Sequence, residues 1–97
     1  MAKEYIVGGK SIKMFTIGEV AKELGRSHLT VRKWERDGVL PPAEYRSESN
    51  RRLYTEAQVE AIKRMVEKHN VRKGVKIPEQ FIYDVHDAFR DADKERR

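Results

Sequence analysis

Residues 16–38 read TIGEVAKELGRSHLTVRKWERDG, and this stretch decides the fold. Thr16 and Glu19 have the spacing of a capping box, in which the two side chains satisfy free amides at a helix start. Apolar residues at 17, 20, 21 and 24 then repeat at helical spacing. Gly25 is typical of the residue after a helix end. The pattern therefore predicts a first helix that begins at Thr16 and stops at Gly25.

A second helix is predicted almost immediately after the first, because only Arg26 separates Gly25 from Ser27. Ser27 is a favourable N-cap, and the helical pattern continues to about Asp37, where Gly38 stops it. Two helices joined by so short a turn tend to cross at a large angle. This arrangement is typical of a helix-turn-helix.

The second helix has an apolar side and a basic side. At about 100° per residue, Val31 and Trp34 fall on the side that suits the core. The opposite side carries candidate DNA contacts: Leu29, Thr30, Arg32, Lys33 and Arg36. Basic groups and threonine can hydrogen-bond base edges or phosphates, and a leucine methyl can pack against a thymine methyl. The alternatives are a solvated face for the charges and, for the leucine, cover by the N-terminal arm.

The segment that follows predicts a wing. Leu40-Pro41-Pro42 cannot lie inside a helix, and the polar stretch to Tyr54 has a natural turn at 47–50 between two extended arms. Such a wing would bring arginines within reach of phosphates or the minor groove. The candidates are Arg46, Arg51 and Arg52, joined by Thr16 and His28 at the starts of the first two helices.

Two further helices complete the predicted fold. A second capping box at Thr55 and Gln58 opens a helix to about His69, and Pro78 opens the last helix. The last helix has an apolar seam of Phe81, Ile82, Val85 and Phe89. The fold class is therefore mainly α, a winged helix-turn-helix with about four helices and a small two-stranded wing.

The predicted domain covers residues 15–90. Residues 1–14 are either a short hairpin that turns at two glycines or a frayed arm, and residues 91–97 form a charged tail. The segment 70–76 is a basic connector that contains Gly74.

Composition limits the function. The 97 residues include 21 lysines and arginines against 16 acids, which favours a polyanionic partner if the charge is localised. No cysteine and no membrane-length apolar run is present, so we expect a cytoplasmic protein with no membrane partner. The three histidines are scattered without a carboxylate pair or a phosphate-binding glycine loop. We therefore expect no catalytic residue, no metal site and no cofactor.

Three stretches together resemble the DNA-binding domain of the MerR family over about residues 15–90. They are Phe15 to Ala21, Ser27 to Pro41, and Arg52-Leu53-Tyr54-Thr55. The resemblance implies that the second helix enters the major groove through Thr30, Arg32, Lys33 and Arg36, that Arg52 holds a phosphate, and that paired domains distort the DNA. The resemblance also implies that the cell is bacterial or phage-infected. Leu29 and Lys33 replace an arginine and a tyrosine common in the family, so no target sequence is implied.

The first functional hypothesis is a sequence-specific regulator of transcription that binds double-stranded DNA as a homo-oligomer, with RNA polymerase as protein partner. The second is a phage excisionase or related factor that bends DNA for an integrase. It is suggested by a chain that stops before the dimerisation helix and effector domain of MerR regulators. The third is a protein-interaction module without DNA binding, suggested by the apolar seam of the last helix. Core packing is the alternative explanation for that seam.

Overall fold

The computed structural model describes residues 3–72 and 76–95. Gly74 of the predicted connector lies outside the described residues. The described elements, in chain order, are β1 (Lys3–Val7), β2 (Lys10–Thr16), α1 (Ile17–Leu24), α2 (His28–Arg36), β3 (Tyr45–Arg46), β4 (Arg52–Thr55), α3 (Glu56–Lys68) and α4 (Glu79–Glu95). The α4 helix reaches into the segment expected to be a charged tail, of which residues 96–97 are not described.

Both predicted capping boxes are present. The hydroxyl of Thr16 accepts a hydrogen bond from the Glu19 amide at 3.3 Å, and the Glu19 carboxylate accepts from the Thr16 amide at 2.9 Å. Thr55 and Gln58 make the equivalent pair at the start of α3, at 3.1 and 2.9 Å. Gly25 ends α1 with a φ of 67°, a left-handed conformation that glycine adopts without strain. Local side-chain chemistry therefore sets where these helices begin and end.

The sheet is larger than the predicted two-stranded wing. Its four antiparallel strands follow the order β1-β2-β4-β3, so the N-terminal hairpin and the wing are parts of one curled sheet. Of the two alternatives for residues 1–14, the structure has the hairpin, which turns at Gly8 and Gly9. The wing prediction omitted the pairing of β2 with β4, in which Phe15 lies opposite Tyr54. This pairing joins segments far apart in sequence.

Both faces of the sheet are covered in its centre. Successive strand residues point to opposite faces, so Phe15 and Tyr54 share one face and Met14 and Leu53 share the other. Phe15 and Tyr54 belong to the core formed with the helices, whereas Met14 and Leu53 are buried on the opposite face of the sheet. The sheet is therefore a fixed support on which the wing turn and the first hairpin are held.

The core lies between the helices and the inner face of the sheet. Trp34 of α2 packs edge to face against Phe81 of α4, with ring centroids 5.8 Å apart, and Tyr54 meets Phe89 at 6.3 Å. Phe81, Val85 and Phe89 are buried, and Ile82 is half-buried against the same core. Core packing therefore accounts for the apolar seam of α4. Within residues 3–72 and 76–95, no helix combines the length and the apolar character needed to cross a bilayer.

Candidate DNA interface

The α2 helix presents its basic side to solvent. Val31 and Trp34 anchor the opposite side in the core, where they are 0% and 5% exposed. Leu29 is 65% exposed, so the N-terminal hairpin does not cover it. The outward-facing ridge consists of Leu29, Arg32, Lys33 and Arg36, all of them exposed. We call this set the α2 ridge.

The charged side chains of the α2 ridge make few ion pairs or hydrogen bonds with other described residues. In the described part of the chain, no ion pair or side-chain hydrogen bond involves Arg32 or Lys33. Arg36 lies 3.4 Å from the carboxylate of its neighbour Asp37, and both side chains remain exposed. An exposed pair of this kind contributes little to stability, so Arg36 can change partner at low cost.

Glu35 ties the wing to α2. Its carboxylate accepts a hydrogen bond from the Tyr54 hydroxyl at 2.7 Å and from the Ala43 amide at 3.2 Å, and it forms an ion pair with Arg52. Burial raises the pKa of Tyr54, and the hydrogen bond to Glu35 adds to the increase. The side chain of Glu35 is only 10% exposed. Glu35 was not among the contacts predicted from the sequence, although an acid on the apolar side of α2 was a signal for a buried partner.

The wing arginines occupy three different environments. Arg52 is partly used by its pair with Glu35, and its side chain remains 38% exposed. Arg51 is exposed at the end of the wing turn. Arg46 donates to the carbonyl of Asn50 at 3.3 Å, across a turn in which Asn50 adopts a φ of 63°. Arg51 is therefore the wing arginine with the fewest structural duties.

One groove, of about 410 Å³, lies between the start of α1, the start of α2 and the wing. Five of the predicted contacts line it together: Thr16, His28, Arg32, Arg51 and Arg52. We call it the wing groove. Arg46 is not among its lining residues and lines a different groove, together with Lys3 and Tyr5.

Two more grooves flank the α2 ridge. Leu29, Arg32, Lys33 and Arg36 line one of about 370 Å³, together with Glu35 and Arg52. Thr30 and Lys33 line the other, of about 640 Å³, which also contains Arg72 and Lys76. The Thr30 hydroxyl lies 3.1 Å from that of Ser27. Arg72 and Lys76 were not among the DNA contacts predicted from the sequence, although their segment was predicted to be a basic connector.

Arg26, in the turn between α1 and α2, has a structural role. Its guanidinium donates to the carbonyls of Leu24 and Val71, and it lies 5.6 Å from the centre of the Trp34 ring. These contacts hold the turn against the chain that follows α3. Arg26 therefore differs from the ridge arginines, whose side chains point into solvent.

His69, which follows α3, and His86 of α4 each contact another segment of the chain. His69 Nε2 lies 2.7 Å from the carboxylate of Asp84, and His86 Nε2 lies 2.9 Å from the carbonyl of Gly38. No cluster of three or more side chains that could hold a metal ion occurs in the residues that the structure describes. These positions give no indication of a cofactor site.

Comparison with known proteins agrees with this geometry. The family model described as MerR HTH family regulatory protein matches residues 15–79, which is more than half of the chain. No curated protein and no solved structure matches the chain. The matched residues contain α1, α2, the wing and α3, which are the elements that form the grooves around the α2 ridge. The chain belongs to the MerR family of helix-turn-helix, DNA-binding regulators.

Proposed function

We propose that this protein is a sequence-specific regulator of transcription that inserts α2 into the major groove of double-stranded DNA and places the wing on the backbone. The observation that carries the proposal is the α2 ridge, an exposed row of three cations and a leucine on a helix whose other side is buried. Family membership supports DNA binding and regulation in general. The groove and wing assignments are the specific part of the proposal.

The composition of the α2 ridge suits base readout. A major groove about 12 Å wide admits a helix, and arginine or lysine can donate to the O6 and N7 atoms of guanine. Lys33 lies near the middle of the ridge and Arg36 at its C-terminal end, and both exposed side chains could reach base edges. Leu29 offers an apolar contact for a thymine methyl group. Thr30, at the edge of the ridge, can donate or accept.

The wing groove suits the DNA backbone. Arg51 and Arg52 bring positive charge to it, and the N-terminus of α2 with His28 lies at its other side. Helix N-termini attract phosphates through their free amides and their dipole. Contacts of this kind position the protein on the duplex and carry no sequence information. The wing groove would therefore set the register in which the α2 ridge reads bases.

Site selection from a random duplex pool, followed by titration, tests the proposal. The protein should bind its selected duplex roughly a thousandfold more tightly than a scrambled one in 150 mM salt. Equal affinity for both duplexes would contradict sequence-specific regulation. Permuting the site position within the duplex also measures bending. Strong bending at adjacent sites that fill cooperatively would favour an architectural factor.

Alanine variants then separate reading from positioning. Lys33→Ala or Arg36→Ala should change the preferred base at one position, at a cost of about 1–3 kcal/mol on the preferred site. Arg51→Ala should weaken selected and scrambled duplexes alike and reduce the salt slope by about one. Arg64→Ala is the matched control, because Arg64 is an exposed arginine on α3 in a groove formed with α4. Uniform weakening by all four variants would contradict the groove assignment.

A further inference from the structure

A separate groove, of about 810 Å³, lies between β1 and the wing turn. We call it the hairpin groove. It is lined by residues of the N-terminal hairpin, the first turn of α1 and the wing: Lys3, Tyr5, Thr16, Glu19, Arg46, Ser47, Glu48, Ser49 and Arg51. The family match begins at residue 15, so β1 and most of β2 lie outside it. The groove is therefore formed in part by a segment to which the family match assigns nothing.

The hairpin groove is continuous with the wing groove. Thr16 and Arg51 line both, since Thr16 ends β2 and Arg51 immediately precedes β4. A path therefore runs from Arg32 on α2, past Thr16 and Arg51, to Lys3 on β1. A DNA strand held in the wing groove would meet the hairpin groove next.

The polar groups of the hairpin groove suit phosphates. Lys3, Arg46 and Arg51 supply three positive charges, and the hydroxyl groups of tyrosine and serine can donate to phosphate oxygens. Two carboxylates also line it. Glu19 is held in the capping box by the Thr16 amide, and Glu48 is exposed in the wing turn. Among the described residues, no ion pair involves Lys3, Arg46 or Arg51, so the charge of these cations is available to a ligand.

We infer that the hairpin groove is a second backbone-binding surface, in which Lys3 and Arg46 hold phosphates of the duplex that flanks the site read by α2. This inference rests on the proposed function and extends it to the N-terminal hairpin. Lys3 is the residue that distinguishes it from binding by the wing alone, because no other lysine or arginine of the hairpin lines the groove. The contacts are to phosphates, so they add affinity and leave base preference unchanged.

Charge substitution at Lys3 tests the inference, with Lys13→Ala as the matched control. Lys13 lies on the same hairpin, but the strand alternation places it on the other face, 3.4 Å from Glu56 and above the Phe15 ring. Both variants lose one lysine from the hairpin. Circular dichroism would establish that both fold, and the selected duplex would then be titrated from 50 to 200 mM salt.

Lys3→Ala should reduce the salt slope by about 0.9, which corresponds to about an 8-fold loss of affinity at 0.1 M salt. Lys3→Glu should lose more. Base preference should not change, and the difference from wild type should disappear when the flanking duplex on one side is trimmed away. Lys13→Ala should keep the wild-type slope.

The inference is overturned if Lys3→Ala keeps the wild-type slope and affinity, or if Lys13→Ala loses as much as Lys3→Ala. It is also overturned if the loss persists on the trimmed duplex. Failure of the wild-type protein to prefer any duplex would instead reject the proposed function, and this inference with it. The two failures are distinguished by whether the wild-type protein prefers its selected duplex over a scrambled one.

Discussion

The carboxylate of Glu35 on α2 accepts a hydrogen bond of 2.7 Å from the buried hydroxyl of Tyr54 on β4. One residue of α2 is thereby connected to β4 of the wing, and the same carboxylate also pairs with Arg52. The distance between the α2 ridge and the wing is therefore set before any DNA is bound. A preorganised surface of this kind loses less conformational entropy on binding.

Replacement of Glu35 should destabilise the protein. Glu35→Ala leaves the Tyr54 hydroxyl and the Ala43 amide without their acceptor, and we expect the free energy of unfolding to fall by about 2–4 kcal/mol. Glu35→Gln keeps an acceptor oxygen and should cost about 1–2 kcal/mol. Urea denaturation measures both. Glu23→Ala is the control, because within the described residues Glu23 makes only an exposed pair with Lys63 at 3.7 Å. Equal losses at positions 23 and 35 would contradict this account.

Arg26 and Arg32 should behave in opposite ways although both carry the same charge. Arg26→Ala removes the bonds to the Val71 and Leu24 carbonyls and the contact with Trp34, so it should lower stability by about 1–3 kcal/mol. It should also change the emission of Trp34, the single tryptophan. Arg32→Ala should leave the stability within about 0.5 kcal/mol and weaken DNA binding. Thermal denaturation, fluorescence and duplex titration on both variants check this contrast, and the reverse pattern would disprove it.

Acid should weaken the junction between α3 and α4. The pKa of Asp84 is lowered to about 2 from its usual value of 3.8, first by the Gln80 side chain and then by His69 and Lys68. The stabilisation from the ionised carboxylate is therefore complete above about pH 4 and is lost as the pH falls toward 2.

Asp84→Asn should accordingly be less stable than wild type at pH 6 and should lose less stability between pH 4 and 2. Urea denaturation at several pH values measures the difference. Asp91→Asn changes an exposed aspartate of the same helix and should follow the wild-type curve. An unchanged acid dependence in Asp84→Asn would refute this assignment.

Leu29 should read a thymine methyl group. Burying one such group contributes about 0.8 kcal/mol, so replacing the contacted thymine by deoxyuridine, which lacks the methyl, should weaken wild-type binding about 4-fold. Leu29→Ala should bind the two duplexes equally, and its stability should not change because the side chain is 65% exposed. Scanning each thymine of the selected site by gel shift identifies the position. If no deoxyuridine substitution affects the wild type, Leu29 does not read a methyl group.

The sequence predicted the helices because their signals are local. Capping boxes at Thr16 and Thr55 and the left-handed glycine at 25 each involve residues within one helical turn, and the structure contains all three. The buried and exposed sides of α2 also followed from periodicity alone, since Val31 and Trp34 anchor the core as predicted. Positions that depend only on near neighbours can be inferred without an alignment.

The pairing of the strands and the long-range contacts that support the site could not be inferred in the same way. The pairing of Phe15 with Tyr54 joins residues that no local pattern connects. The same limit applies to Arg26, whose partner Val71 lies 45 residues away. Sequence reasoning counted every wing arginine as a DNA contact, whereas the structure also uses Arg52 to hold the wing against Glu35. The charge of a side chain alone does not distinguish a structural arginine from one that contacts DNA.

The central position of β4 in the sheet determines how the DNA-binding domain unfolds. Because β4 lies between β2 and β3, the wing cannot detach as a unit without breaking the pairing of β2 with β4. This pairing closes the loop of chain that contains α1 and α2. The chain must close this long loop before the pairing of β2 with β4 forms. We therefore expect α1, α2 and the sheet to unfold together in one all-or-none step. A cell would then contain folded protein and unfolded chains, with few partly folded molecules that bind DNA non-specifically.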